Sequence, residues 1–95
     1  MKKTFVYPAI FIKDKQKDEQ HCTVLFPDLD ITTDGNFMEE AYLYAKECLK
    51  AYFVCAEKYD FEYNLPSEFE IIQKTTKSDE YVMLIDTTIT DKDLK

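Results

Sequence analysis

One long amphipathic helix can be read from this sequence, and no second helix of similar length accompanies it. At 100° per residue, Phe37, Ala41, Tyr44, Ala45, Cys48, Leu49, Tyr52, Cys55 and Ala56 form one broad apolar stripe along residues 37–58. Glu39, Glu40, Lys46, Glu47, Lys50, Glu57 and Lys58 occupy the opposite side, interrupted by Leu43 and Val54. Asn36 followed by Glu39 resembles a capping box at the start. A lone helix has no helical neighbour to cover its apolar stripe, so it must lie on a sheet.

Strands are readable on both sides of that helix. Residues 5–12 are rich in β-branched and aromatic side chains and run into the charged stretch 13–20, which reads as a loop. Pro8 has to lie where its missing N–H meets no neighbour, or at a bulge. Residues 21–26 form a second strand, with Cys22, Val24 and Phe26 on one face and His21, Thr23 and Leu25 on the other. Pro27 and Asp28 make a turn, residues 31–33 a short third strand, and Asp34-Gly35 a break. After the helix come an Asn64-Leu65-Pro66 loop and a short helical turn from Ser67 through Gln73, with Ser67 and Glu70 as its caps. Residues 81–89 form the last strand, and Tyr81 to Ile85 are apolar at every position, which predicts burial on both faces. The expected fold is therefore α+β, in the order β-β-β-α-β, with one helix packed on a mainly antiparallel sheet and residues 1–95 as a single domain.

The helix can cover only one face of that sheet. Both alternating sets of the first strand are apolar, Phe5, Tyr7, Ala9 and Phe11 against Val6, Pro8, Ile10 and Ile12. The leftover face predicts either a second subunit or a cover made by Phe69, Ile71 and Ile72. Phe5, Tyr7, Ala9 and Phe11 are the candidate oligomer interface.

Composition narrows the function. Twelve lysines without a single arginine, against 19 acidic residues, give a net charge of −7, which repels a polyphosphate backbone and favours a basic protein partner. Direct nucleic-acid binding is disfavoured. No apolar run reaches the roughly 18 residues of a membrane span, and no apolar leader core follows Met1, so the expected location is cytoplasmic. Cys22, Cys48 and Cys55 contain no CxxC pair and predict reduced thiols, and His21 is the only histidine, so neither a metal site nor a nucleophilic dyad is expected. Gly35 is the only glycine, which excludes a glycine-rich phosphate loop. No cofactor and no enzymatic activity are expected.

Motif order adds a family. Tyr7-Pro8-Ala9 in the first strand, Phe26-Pro27-Asp28-Leu29 closing the second, Asp34 and Asn36 before the helix, Glu39-Glu40-Ala41 with Ala45 inside it, and Asp86 near the end of the last strand resemble the HicB antitoxins. The resemblance spans residues 5–90. It implies a partial ribonuclease-H-like fold with the fourth strand beside the first. It also implies the neutralisation of a small basic HicA-like toxin that cleaves messenger RNA. Asp30-Ile31 stands where the family has Pro-Gly, and a C-terminal DNA-binding domain, common in the family, is not expected here. The partner-binding candidates are Asp28, Asp30, Asp34, Glu39 and Glu40, the densest local set of acids. The alternative is an orphan HicB-like homo-oligomer, structural or regulatory, with no toxin.

Overall fold

A computed structural model describes residues 1–13 and 21–95; the stretch expected as a loop, 14–20, lies outside the described residues. Strands β1 (Lys2–Lys13), β2 (Cys22–Phe26) and β3 (Ile31–Gly35) are followed by helices α1 (Met38–Tyr59) and α2 (Phe69–Thr75), then β4 (Glu80–Thr90) and a 3-10 turn at Asp91–Leu94. The four strands form one antiparallel sheet in the order β3-β2-β1-β4, with β4 beside β1. The fold class is α+β.

Local chemistry explains the register. Pro8 pairs with Leu84 of β4, while the ladder to β2 begins only at Ile10↔Leu25, so a missing N–H on the β2 side leaves no acceptor stranded. Alternation then puts Phe5, Tyr7, Ala9 and Phe11 opposite Thr87, Ile85, Met83 and Tyr81 on the face that meets α1.

Helix α1 buries Ala41, Ala45, Leu49, Phe53 and Ala56, a stripe rotated toward Phe53 from the expected one. Phe37, Tyr44 and Cys55 are exposed instead. Small residues set this rotation. Ala41 and Ala45 let the helix sit close to the sheet, and a Cβ on Gly35 would stand 2.4 Å from the Ala41 nitrogen. The phenyl ring of Phe53 then fills the wider gap at the far end. It stacks on Phe5 at 3.8 Å between ring centroids, and Tyr7, Tyr52 and Tyr63 surround it at 5.3, 5.1 and 4.9 Å. The expected cap moves by one residue: Phe37 is the N-cap, and Glu40 Oε1 accepts from the Asn36 backbone N–H at 3.0 Å and from its Nδ2 at 3.1 Å.

Two expectations are corrected here. Tyr7, Ala9 and Phe11 are buried to 2% exposure or less beneath α1, and Phe5 is held by the Phe53 stack, so these four residues are core and not an oligomer interface. The covering helix settles which face is closed. On the other face, α2 packs against β4, Ile72 is buried apart from the main core, and Pro8 is fully buried, while Ile71 stays exposed. Strand β4 is an edge strand with Tyr81 and Leu84 each 51% exposed, against the expectation of burial on both faces.

Truncating the hub tests this packing. Phe53→Ala should cost about 3–5 kcal/mol in urea unfolding, whereas Tyr44→Ala should stay within about 0.5 kcal/mol of the parent. Equal losses would place the helix in the expected rotation instead.

Candidate partner-binding surface

The turn Pro27-Asp28-Leu29-Asp30 between β2 and β3 is built by two backbone hydrogen bonds, from the Leu29 and Asp30 N–H groups to the Phe26 carbonyl at 3.2 and 2.9 Å. Asp30 takes the left-handed conformation, φ 53°, where a glycine would be more at ease. That geometry turns the Asp30 side chain away from the sheet and leaves it exposed. Leu29 points inward and is buried.

Asp28 has a different task. Its Oδ1 accepts from the Ser67 hydroxyl at 2.5 Å, its Oδ2 from the Ser67 backbone N–H at 2.9 Å, and its carbonyl from Asn64 Nδ2 at 2.9 Å. The Asn64 carbonyl in turn accepts from the Tyr7 hydroxyl at 2.6 Å. The carboxylate therefore pins the chain where it leaves α1 and turns toward α2. Ser67 is not the expected helix cap: Glu68 holds that place, and the Ser67 side chain is turned to Asp28.

A cleft of about 420 Å³ opens beside this turn, lined by Pro27, Asp28, Leu29, Asp30, Tyr52, Glu62, Tyr63 and Asn64. Carboxylates and tyrosine rings around one hollow are suited to an ammonium or guanidinium group, by charge and by cation–π contact. Among the described residues, Asp30 and Glu62 form no ion pair, whereas Asp86, Asp93 and Glu57 are taken by Lys46, Lys50 and Lys3. Glu62, Tyr52, Tyr63 and Asn64 were not singled out as site residues from the sequence. The alternation Tyr59-Asp60-Phe61-Glu62-Tyr63 after the helix was the available signal, because acids interleaved with aromatics on an extended segment share a face in turn.

The remaining acidic candidates lie elsewhere. Ile31 pairs with Phe26 at one end of β3 and Gly35 with Cys22 at the other, so roughly 13 Å of strand separates the Asp30 end from the Asp34 end. Asp34 Oδ2 stands 3.1 Å from His21 Nε2, an ion pair when the imidazole is protonated. Glu40 caps Asn36, and Glu39 is exposed in the first turn of α1. Asp28, Asp30, Asp34, Glu39 and Glu40 are thus split between two ends of the sheet, with Asp28 and Glu40 engaged in holding turns. Among the described residues no group of three His, Cys, Asp or Glu side chains could hold a metal ion, and no helix is long and apolar enough to cross a membrane.

Comparison with known proteins gives one likeness of fold. No protein-family profile and no curated protein matches this chain. A chain of a solved toxin–antitoxin complex from Streptococcus pneumoniae superposes with a TM-score of 0.73 at 20% identity, over 88% of this chain and 69% of that one. At that identity the likeness is one of architecture: the same arrangement of sheet and helices carries a different sequence.

Two measurements test the turn. Ser67→Ala should cost about 1–3 kcal/mol, because it leaves the partly buried Asp28 carboxylate without its side-chain donor, and Asp28→Lys should destabilise at least as much. Unchanged stability in both would remove Asp28 from its holding role. The second concerns Tyr7, whose pKa is pushed up to about 12 by burial, reinforced by Tyr63, Asp28 and Tyr52 nearby. A raised folded-state value means that the folded protein binds the proton more tightly than the unfolded chain, whose tyrosine titrates near 10. Its contribution is present in full below pH of about 10 and is lost as pH rises to about 12. The stability difference between the parent and Tyr7→Phe should shrink across that window; a constant difference would contradict the burial of the phenol.

Proposed function

We propose that this chain is the antitoxin of a type II toxin–antitoxin pair, similar to HicB, that neutralises a small basic HicA-like messenger-RNA-cleaving toxin by binding it. The observation that carries this reading is the superposition on a chain of a toxin–antitoxin complex over 88% of the length. The motif order from Tyr7-Pro8-Ala9 through Phe26-Pro27-Asp28-Leu29 to Asp86 supports it independently, as does a sheet-and-helix arrangement compatible with a partial ribonuclease-H-like fold.

Charge chooses between the two roles such a complex offers. A toxin that acts on RNA needs cations along its substrate, whereas this chain has a net charge of −7 and no arginine. An acidic domain laid over the RNA-binding surface of a basic toxin competes with the substrate directly. It needs no chemistry of its own, so the chain is not an enzyme in this mechanism, and its place is with its toxin in the cytoplasm. Asp30 and Glu62, which line one cleft with Tyr52 and Tyr63, are the seat for a basic side chain of the toxin. Asp34 and Glu39 add long-range attraction.

The test is affinity purification of the tagged protein from its native host at low salt, with mass spectrometry of what co-elutes. A stoichiometric small basic protein is the expected result. Recovery of this chain alone at adequate expression would favour the orphan homo-oligomer. Once the partner is in hand, Asp30→Lys with Glu62→Lys should slow association by about tenfold or more and flatten its salt dependence. The same pair of changes should leave the fold intact, with the melting temperature lowered only by the few degrees that a lysine at the left-handed position 30 costs. Association at the parent rate would move the contact away from this cleft.

A further inference from the structure

The ladder between β1 and β4 runs unbroken from Lys2↔Thr90 to Ile12↔Glu80, and among the described residues no strand lies on the other side of β4. The outer edge of β4 therefore offers backbone N–H and C=O groups at every second residue, and no bulge turns them away. Natural edges of this kind are kept from pairing by charges, prolines or bulges. Tyr81-Val82-Met83-Leu84-Ile85 has none of these, and Tyr81 and Leu84 are each 51% exposed. The opposite edge, β3, is short and polar, Ile31–Gly35, and carries Asp34.

A groove of about 900 Å³ follows the β4 edge between the start of α1 and the end of α2, lined by Met38, Thr76, Tyr81, Val82 and Met83. Its charged residues gather at one end. Lys13 follows Ile12, which pairs with Glu80, and Lys77 opens the turn that the Glu80 N–H closes on the Lys77 carbonyl at 3.0 Å. Both lysines therefore stand where β4 begins. Glu80, the one acid lining the groove, accepts at Oε1 from the Lys77 backbone N–H at 2.9 Å, and Asp79 in the same turn does not line it. Among the described residues neither lysine forms an ion pair.

Apolar walls with cations at one end suit a ligand of matching polarity, an apolar body headed by a carboxylate. The open edge decides what the body is. A row of backbone groups is satisfied by another extended backbone and not by an alkyl chain, so the ligand is a peptide. Direction then follows: an added strand that continues the antiparallel order of the sheet runs against β4, which sets its C-terminus beside Glu80 and so at Lys13 and Lys77.

We infer that the edge of β4 binds the C-terminal segment of another protein as a fifth strand, with apolar side chains along Tyr81, Val82 and Met83 and the terminal carboxylate at Lys13 and Lys77. The charge it reads is opposite to that of the basic partner at the β2–β3 turn, so the two surfaces take different molecules.

The test needs only the purified chain, so its failure is independent of the antitoxin reading. The probe is a fluorescein-labelled octapeptide of alternating valine and threonine, made with a free C-terminal carboxylate and again as the C-terminal amide, and read by fluorescence anisotropy. The free acid should bind the parent with a dissociation constant below about 1 mM, and the amide at least about tenfold more weakly. Lys13→Glu with Lys77→Glu, both at exposed positions, should bring the two peptides to equal, weak affinity, with circular dichroism as the control on folding. Saturating the parent with the free acid should slow hydrogen exchange at backbone amides within residues 80–84. No binding of the free acid, equal affinity of acid and amide for the parent, or binding without protection in residues 80–84 would overturn the inference. Decanoate binding more tightly than the peptide would also overturn it, by giving the groove to a lipid-like carboxylate.

Discussion

Phe53 packed flat on Phe5 is the contact on which the remainder of the molecule depends. It fixes the rotation of α1 about its own axis, and that rotation decides which face of β1 is interior. With the ring seated at 3.8 Å from Phe5 and edged by Tyr52 and Tyr63, the helix can approach the sheet only through Ala41 and Ala45. The tight passage at Gly35 follows, because any side chain there would meet the Ala41 backbone. The same aromatic cluster holds Tyr63, and with it the segment whose Asn64 ties the Tyr7 hydroxyl to the Asp28 turn. The acidic cleft is thus a by-product of core packing: its tyrosine walls belong to residues that also close the hydrophobic interior.

What could be read before the structure, and what could not, follows from the range of the forces involved. Strand alternation and helix periodicity are local, so the class of fold and the position of β4 beside β1 were legible, the latter through the family resemblance. The helix rotation was not, because Phe53 and Tyr44 both border the apolar stripe on a helical wheel, and only the choice between small and large residues facing the sheet separates them. That single ambiguity carried the error over Phe5, Tyr7, Ala9 and Phe11. Two equally apolar faces of β1 give no local sign of which one α1 takes, and the cover on the other face depends on where Ser67 is pinned by Asp28, 39 residues away in sequence.

The acidic candidates show the same limit in electrostatic form. Asp28 and Asp30 are two residues apart, yet one carboxylate is consumed by Ser67 while the other is held outward by a left-handed backbone. Sequence density of charge measures neither hydrogen bonding nor direction. Glu62 joins Asp30 from beyond the C-terminal end of α1 through a fold-dependent approach that proximity in sequence could not supply.

Charge is also distributed unevenly over the surface. The net of −7 is not uniform: lysines of α1 reach Asp86 of β4 and Asp93 of the turn after it, Lys13 and Lys77 outnumber Glu80 at the start of β4, and the carboxylates of Asp30 and Glu62, unpaired among the described residues, stand at the β2–β3 turn. A basic partner is drawn toward the turn and away from the lysines at the start of β4. Because the Debye length at physiological salt is about 8 Å, these two fields act over one surface without cancelling each other. A chain this small can therefore steer a basic partner to one end of its surface by electrostatics, provided that the aromatic hub keeps Tyr52 and Tyr63 at the turn and α1 keeps Lys46 and Lys50 on Asp86 and Asp93.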